Sequence, residues 1–338
     1  MNKKLKTLLI GFGNVAEKIG DDKMMAKFIK YQSHAQVLDA HPNFHWDAVI
    51  DNDKNRRDVA KNKWRIPIVV DSLAKLPIDY DPDVVVLTTP PDKRLDFIRK
   101  INNKKGIIVE KPLGLSILSS KNFEKVCKEK KHTVQVNYFR RFDSTIKSLV
   151  KNKIKKIGNL QTGFCIYGNG LRNNAIHMID LVRLLFGKVR SIKAISELQT
   201  GSNSIKNDKN IIFNLEFQNG SIITFSPINF DFYRDIYLDI WGSKGRVEIF
   251  QEGLFIRYSK IKKHRAISNI KEVSIDKGII KNTQCGVSYF NLYDDLYRSL
   301  RTNSNIRSDI NNAMINEIIV DNIFKSLSQN SKKLKVDI

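Results

Sequence analysis

The stretch Thr7-Leu8-Leu9-Ile10-Gly11-Phe12-Gly13-Asn14-Val15-Ala16 decides the fold. A short apolar run with strand character breaks into a G-x-G-x-x-A turn, and each small residue there has a mechanical reason. Gly11 permits the tight turn and Gly13 lets backbone approach a pyrophosphate. Ala16 allows a helix to pack closely on the strand, with its N–H groups aimed at phosphate. Glycine-rich turns are common after strands, and this one gains weight from its place directly after the first apolar strand. Gly11, Gly13, Asn14, Val15 and Ala16 are therefore the expected dinucleotide contacts.

Working outward, strand signals recur at residues 7–10, 45–50, 66–70, 83–89, 106–111 and 132–137, with helix-length segments between them. Short β-branched runs alternating with helices predict a doubly wound, mostly parallel sheet covered on both faces. This is an α/β Rossmann domain, expected over residues 1–142. After about Asp143 the pattern changes. One amphipathic helix near residues 173–186 precedes alternating stretches at 191–196, 210–217, 221–228, 236–242, 246–250 and 254–258. Tight turns such as Gln218-Asn219-Gly220-Ser221 make the sheet antiparallel. Residues 143–338 thus read as an α+β substrate-binding and oligomerisation domain with a large open, mainly antiparallel sheet. Apolar spacing in residues 287–300 and 313–327 predicts closing helices, the last packing back toward the core.

A chain of 338 residues with 41% apolar content suits two cores. No run approaches the roughly 18 apolar residues of a membrane span, and no cleavage signal precedes the first strand, so a cytoplasmic protein with no membrane partner is expected. Cys127, Cys165 and Cys285 are widely separated, and neither a disulfide framework nor a metal site is expected. Lys and Arg total 58 against 35 Asp and Glu, a net charge of +23. The densest basic patches, at 128–131, 151–156 and 260–265, lack interleaved aromatics. The surplus therefore reads as solubilising charge that also suits an anionic substrate, and no nucleic-acid partner is expected.

The second strand ends at Asp51, whose carboxylate can accept from both hydroxyls of an adenosine ribose and would repel a 2′-phosphate, favouring NAD over NADP. Two alternatives stay open: Asp51 as a cap of the next helix, and Lys54, Arg56 and Arg57 as a grip on a 2′-phosphate. The spacing from Gly13 to Asp51 exceeds the roughly 20 residues of the fingerprint, so residues 17–33 read as an insertion. Thr88-Thr89-Pro90-Pro91 ends the fourth strand at the sheet's carboxyl edge, where such sheets bind ligands. Thr88, Thr89 and Pro90 are expected to line the nicotinamide side. Glu110-Lys111-Pro112-Leu113-Gly114 follows the fifth strand at the same edge. A partly buried lysine there can exchange a proton with a carbinol or carbonyl oxygen, or be a surface lysine in a turn. In the loop 167–174, Asn173 and Asn174 suit the hydroxyls of a sugar, while Arg172 suits a carboxylate or phosphate. The same loop can equally be a polar helix start capped by asparagine. Arg140 and Arg141 are further candidates.

The G-x-G-x-x-A turn, the T-x-P-P segment, Glu110-Lys111-Pro112-Leu113-Gly114 and His177-x-x-Asp180 together resemble the Gfo/Idh/MocA oxidoreductase family. So do residues 137–143, Trp241-Gly242-Ser243-Lys244-Gly245 and the closing stretch 326–338. The resemblance covers nearly the whole chain and implies an NAD(P)-dependent dehydrogenase acting on CH-OH groups of a sugar, nucleotide-sugar or cyclitol. It implies that Glu110 and Lys111 meet the cofactor, that Lys111 contacts the reacting oxygen, and that His177 stands beside it as proton acceptor or orienting group. It further implies a cis Lys111-Pro112 peptide, and a homodimer or homotetramer formed through the open sheet face. Asp180 is read chiefly as structural. The chain also departs from the pattern. Many relatives carry a carboxylate four residues before the histidine and a glycine two before it, where Asn173 and Ala175 stand here. Arg94 stands near where a histidine often follows the T-x-P segment. Asparagine is no base at neutral pH, so a proton relay would run through His177 and Lys111. A catalytically silent dinucleotide-binding or regulatory protein of the same fold is the alternative.

Overall fold

The computed structural model describes residues 3–199, 203–274 and 278–336. The chain divides into two compact units. One holds the residues up to Phe142 together with Gly286–Met314, and the other holds Asp143–Cys285 together with the residues from Ile315. The segment Gly286–Met314 thus returns to the first unit, whereas the sequence expectation ran the second domain unbroken from residue 143.

In the first unit, strands β1 (Leu5–Ile10), β2 (Phe44–Ile50), β3 (Ile68–Val70), β4 (Val84–Leu87), β5 (Gly106–Val109) and β6 (Thr133–Val136) form one sheet in the order β3-β2-β1-β4-β5-β6. Its pairings are all parallel. Every residue of β4 and β5 is buried, as a sheet covered on both faces requires. Helices α1 (His34–Ala40), α2 (Lys54–Asn62), α3 (Pro91–Lys100) and α4 (Ile117–Glu129) supply the crossovers. The later helix α7 (Ser288–Thr302) adds Leu292, Tyr293 and Leu296 to the core formed by Leu9, Val37, Val49, Val84 and Ile108. Burying one such aliphatic side chain contributes about 1.5–3 kcal/mol.

The glycine turn does not run into a long helix. The Glu17 amide donates to the Gly13 carbonyl, giving one helical turn, and the chain then leaves through short turns at Lys18–Asp21 and Met25–Lys27. Helix resumes at α1, capped by the Ser33 hydroxyl, and the Ala35 amide bonds the Ala16 carbonyl. Residues 17–33 are an excursion inserted into one helix.

In the second unit, α5 (Ser144–Lys156), β7 (Leu160–Tyr167) and α6 (Ile176–Phe186) precede the strands β8 (Val189–Leu198), β9 (Asn210–Phe217), β10 (Ile222–Pro227), β11 (Tyr237–Gly242), β12 (Gly245–Phe250), β13 (Phe255–Lys263), β14 (Lys271–Val273) and β15 (Ile279–Asn282). With β16 (Leu334–Lys335) they form a sheet ordered β14-β13-β12-β11-β7-β10-β9-β8-β16, with β15 on β13. All pairings are antiparallel except β7 with β10. Strand β7 sits mid-sheet, and neither it nor α5 was marked by the sequence pattern. Residues alternate between a buried face (Gly163, Cys165, Ile223, Phe225) and one carrying exposed Phe164 and Ile222. Helix α8 (Ile310–Ser328) carries the chain into its last strand. Of the closing motif, residues 337 and 338 lie outside the described residues. Among the described residues no helix is long and apolar enough to cross a membrane.

Candidate active site

The glycine turn is built for close approach. Gly11 has φ +91°, and a Cβ there would lie 2.8 Å from the Thr89 amide nitrogen. Phe12 and Ala16 are buried and anchor the turn, while Asn14 and Val15 are exposed. Among the described residues the amides of Gly13, Asn14 and Val15 meet no acceptor, as a pyrophosphate cradle requires. Thr88 donates its hydroxyl to the Ile10 and Gly11 carbonyls, tying β4 to the turn. The buried Thr89 hydroxyl has no partner among the described residues, and such a polar atom beside the turn fits a bound dinucleotide.

Asp51 does not cap the next helix; Asp53 does, accepting from the Asn55 and Arg56 amides. The buried Asp51 carboxylate accepts instead from the Phe12 amide at 2.5 Å and the Asp53 amide at 2.8 Å. Arg56 Nη1 lies 3.6 Å from it, and that guanidinium also borders the space where a Cβ of Gly13 would stand. Arg57 donates to the Asp51 carbonyl. An acid and a half-exposed cation therefore share the end of β2.

At the end of β5 the Lys111-Pro112 peptide is cis. Arg94, buried on α3, donates to the carbonyls of Thr89, Glu110 and Pro112, gathering both strand ends around one guanidinium. Glu110 is buried and accepts from His34 Nε2 at 2.9 Å and from the Asn137 amide. Burial alone would push its carboxyl up. The His34 hydrogen bond and charge, the Asn137 amide and the Lys111 ammonium outweigh burial and hold it below the usual range. His34 Nδ1 meets the Tyr293 hydroxyl at 2.7 Å, and burial, aided by Tyr289 and Glu110, keeps that phenol protonated. His34 and Tyr293 were not singled out in the sequence, being far from Glu110 along the chain. Arg140, also in this unit, is buried with its guanidinium 4.7 Å from the centre of the Phe139 ring. Arg141 donates to the Arg307 carbonyl.

The second unit holds His177, Arg172, Asn173 and Asn174. Here the expected helix begins with a wide turn over Leu171–Ala175, in which the Ala175 and Ile176 amides bond the Gly170 and Leu171 carbonyls five residues back. Asp208 anchors it. Its oxygens accept from the amides of Arg172, Asn173 and Lys209, and Gly170, at φ +90°, leaves it room. The Gly170 amide donates to the Asn210 side chain, and Asp208, an acid from the loop before β9, takes the next amides; only their proximity in space could reveal them. Asp180 accepts from Asn316 on α8 at 2.8 Å. This ties the His177 helix to its neighbour, in keeping with a structural role.

Two sequence models of one family match the chain. The oxidoreductase family, NAD-binding Rossmann fold, covers residues 5–138, and its C-terminal alpha/beta domain covers residues 166–337. The chain belongs to the Gfo/Idh/MocA oxidoreductase family, whose cofactor is a nicotinamide dinucleotide. No curated protein matches it in sequence. The fold is similar to the WlbA dehydrogenase of Bordetella pertussis, solved with NADH and UDP-GlcNAcA, at TM-score 0.73 and 16% identity over 99% of this chain and 100% of that one. It is also similar to a myo-inositol dehydrogenase of Corynebacterium glutamicum, at TM-score 0.69 and 16% identity over 99% of each chain. An oxidoreductase of Agrobacterium radiobacter, solved with NAD+, L-tartaric acid and magnesium, matches at TM-score 0.72 and 15% identity over 99% of each. Likeness at this identity establishes the fold.

Proposed function

We propose that the protein transfers a hydride between NAD and a secondary alcohol or ketone of a sugar, nucleotide-sugar or cyclitol. The observation that carries this reading is the ordered Lys111 turn. One buried arginine fixes the carbonyls on either side of the lysine, and its neighbour Glu110 is held ionised. The bound nicotinamide supplies the hydride acceptor or donor. Lys111 takes or returns the hydroxyl proton, and His177 assists as proton acceptor or orienting group. Asn173 and Asn174 meet substrate hydroxyls, and Arg140 is a further contact. Relatives of the same fold solved with a nucleotide-sugar, or named for a cyclitol, support this substrate class. Asp51 favours NAD, while Arg56 beside it is the residue that would accept the 2′-phosphate of NADP.

The test is a screen of UDP-sugars, hexoses and inositols, following the absorbance of reduced nicotinamide. Lys111→Ala should leave NADH binding near normal and lower turnover by about 10²–10⁴. Unchanged turnover removes the lysine from the chemistry. The second reading, a silent dinucleotide-binding or regulatory protein, is motivated by Asn173 where relatives often have a carboxylate, and tight NADH binding with no turnover would favour it.

The open sheet face, with Phe164 and Ile222 exposed, is proposed as the surface joining two or four copies. Light scattering on the purified protein decides this, and a monomer rejects it.

A further inference from the structure

Arg172 carries a permanent charge, yet its Nη1 is buried and makes no hydrogen bond among the described residues. Its guanidinium rests 4.7 Å from the centre of the Phe324 ring, which orders the group without neutralising it. Among the described residues Asp208, the acid whose charge it feels, forms no ion pair with it; the carboxylate accepts instead from the backbone amides of Arg172, Asn173 and Lys209. A buried guanidinium nitrogen with no acceptor is a standing demand for an anion.

The wide turn decides where that demand is felt. An ordinary helical turn would set residues five apart on different faces. A turn closed by bonds to the fifth residue back rotates the Arg172 position toward the His177 face. We infer that the substrate carries an anionic group, a carboxylate or a phosphate ester, bound by Arg172 one turn from the carbon that reacts beside His177. The substrate class narrows to acidic or phosphorylated sugars. This rests on the hydride-transfer reading for its placement, but not for the anion site itself.

The experiment uses the full chain with NADH and two probes, inorganic phosphate and sodium glucuronate, measured by titration calorimetry and by crystal soaks. Arg172→Gln and Arg172→Lys are compared with the parent after checking that each keeps its melting temperature. An oxygen of either probe at hydrogen-bond distance from Arg172 Nη1, with binding weakened about 10- to 100-fold in Arg172→Gln and partly restored in Arg172→Lys, supports the site. The probe that binds separates a phosphate ester from a carboxylate. No anion at Arg172 in either soak, or equal binding by Arg172→Gln, overturns it. The hydride-transfer reading fails separately, through absent NADH binding or absent turnover, so each can fall without the other.

Discussion

His34 Nε2 lies 2.9 Å from Oε1 of Glu110, joining the first residue of the resumed helix to the residue just before Lys111. Both partners are buried, and Tyr293 closes the chain on the far side of the imidazole. His34→Leu removes the main donor to an enclosed carboxylate and should cost about 2–4 kcal/mol of stability. His34→Gln, which keeps a donor, should cost less. Denaturant midpoints of the two variants check this, and equal losses would mean that packing, not the hydrogen bond, is what matters.

Arg94 serves three carbonyls, those of Thr89, Glu110 and Pro112, just after β4 and β5. Arg94→Met should keep the fold while loosening the Lys111 turn, lowering kcat/KM by about 10- to 100-fold. Arg94→Lys, with a single point charge, should recover only part of this. Steady-state kinetics on whichever sugar the screen identifies provide the measurement, and full activity in Arg94→Met would deny it a positioning role.

On the proposed reading, cofactor choice turns on the pair at the end of β2, where Arg56 Nη1 stands 3.6 Å from Asp51. Arg56→Ala should weaken NADPH binding by about tenfold and leave NADH nearly unchanged. Asp51→Ala should weaken NADH by about tenfold or more, since the carboxylate also fixes the Phe12 amide. Fluorescence titration with each dinucleotide reads both, and identical losses for the two would separate neither role.

Acid should weaken the fold as the histidines buried in it begin to take up protons in the unfolded chain. Burial pulls His41 and His132 down to about 4, with Lys130 adding to the effect at His132 and Asp294 opposing it at His41. The unfolded chain therefore takes up more protons between pH 6.5 and about 4, and stability falls as pH drops through that window. The Glu110 contribution has a depressed folded-state value, so it is lost only at lower pH. Urea midpoints near pH 7 and pH 5 should differ, and a His41→Gln, His132→Gln double variant should narrow the gap. A flat profile in the parent protein would rule out this account.

The parallel sheet was legible because β4 and β5 are unbroken apolar runs, which only a sheet covered on both faces can use. Strand β7 escaped notice because Gly163 interrupts it. That glycine is needed where a Cβ would stand 3.0 Å from the Asp239 carbonyl, a crowding that exists only once the sheet has formed. Helix α5 carries apolar residues at Ile146, Leu149 and Val150, but its dense lysines read first as a charge patch. Among the candidate residues, Gly11 and Asp51 were proposed from their places at strand ends, and Lys111 from the Glu110-Lys111-Pro112 motif after β5. His34 and Asp208 act on partners distant along the chain, and no local signal marks them.

The bond from the Ala35 amide to the Ala16 carbonyl brings the resumed helix back onto the turn that residues 17–33 leave. With those residues set aside, the path from Gly13 to Asp51 shrinks to roughly the 20 residues of a dinucleotide fingerprint. Distance along such a fold is better measured in helical turns than in residues. A loop grafted between two turns lengthens the tape without moving the marks, and homologues with very different loop lengths can share one cofactor cradle.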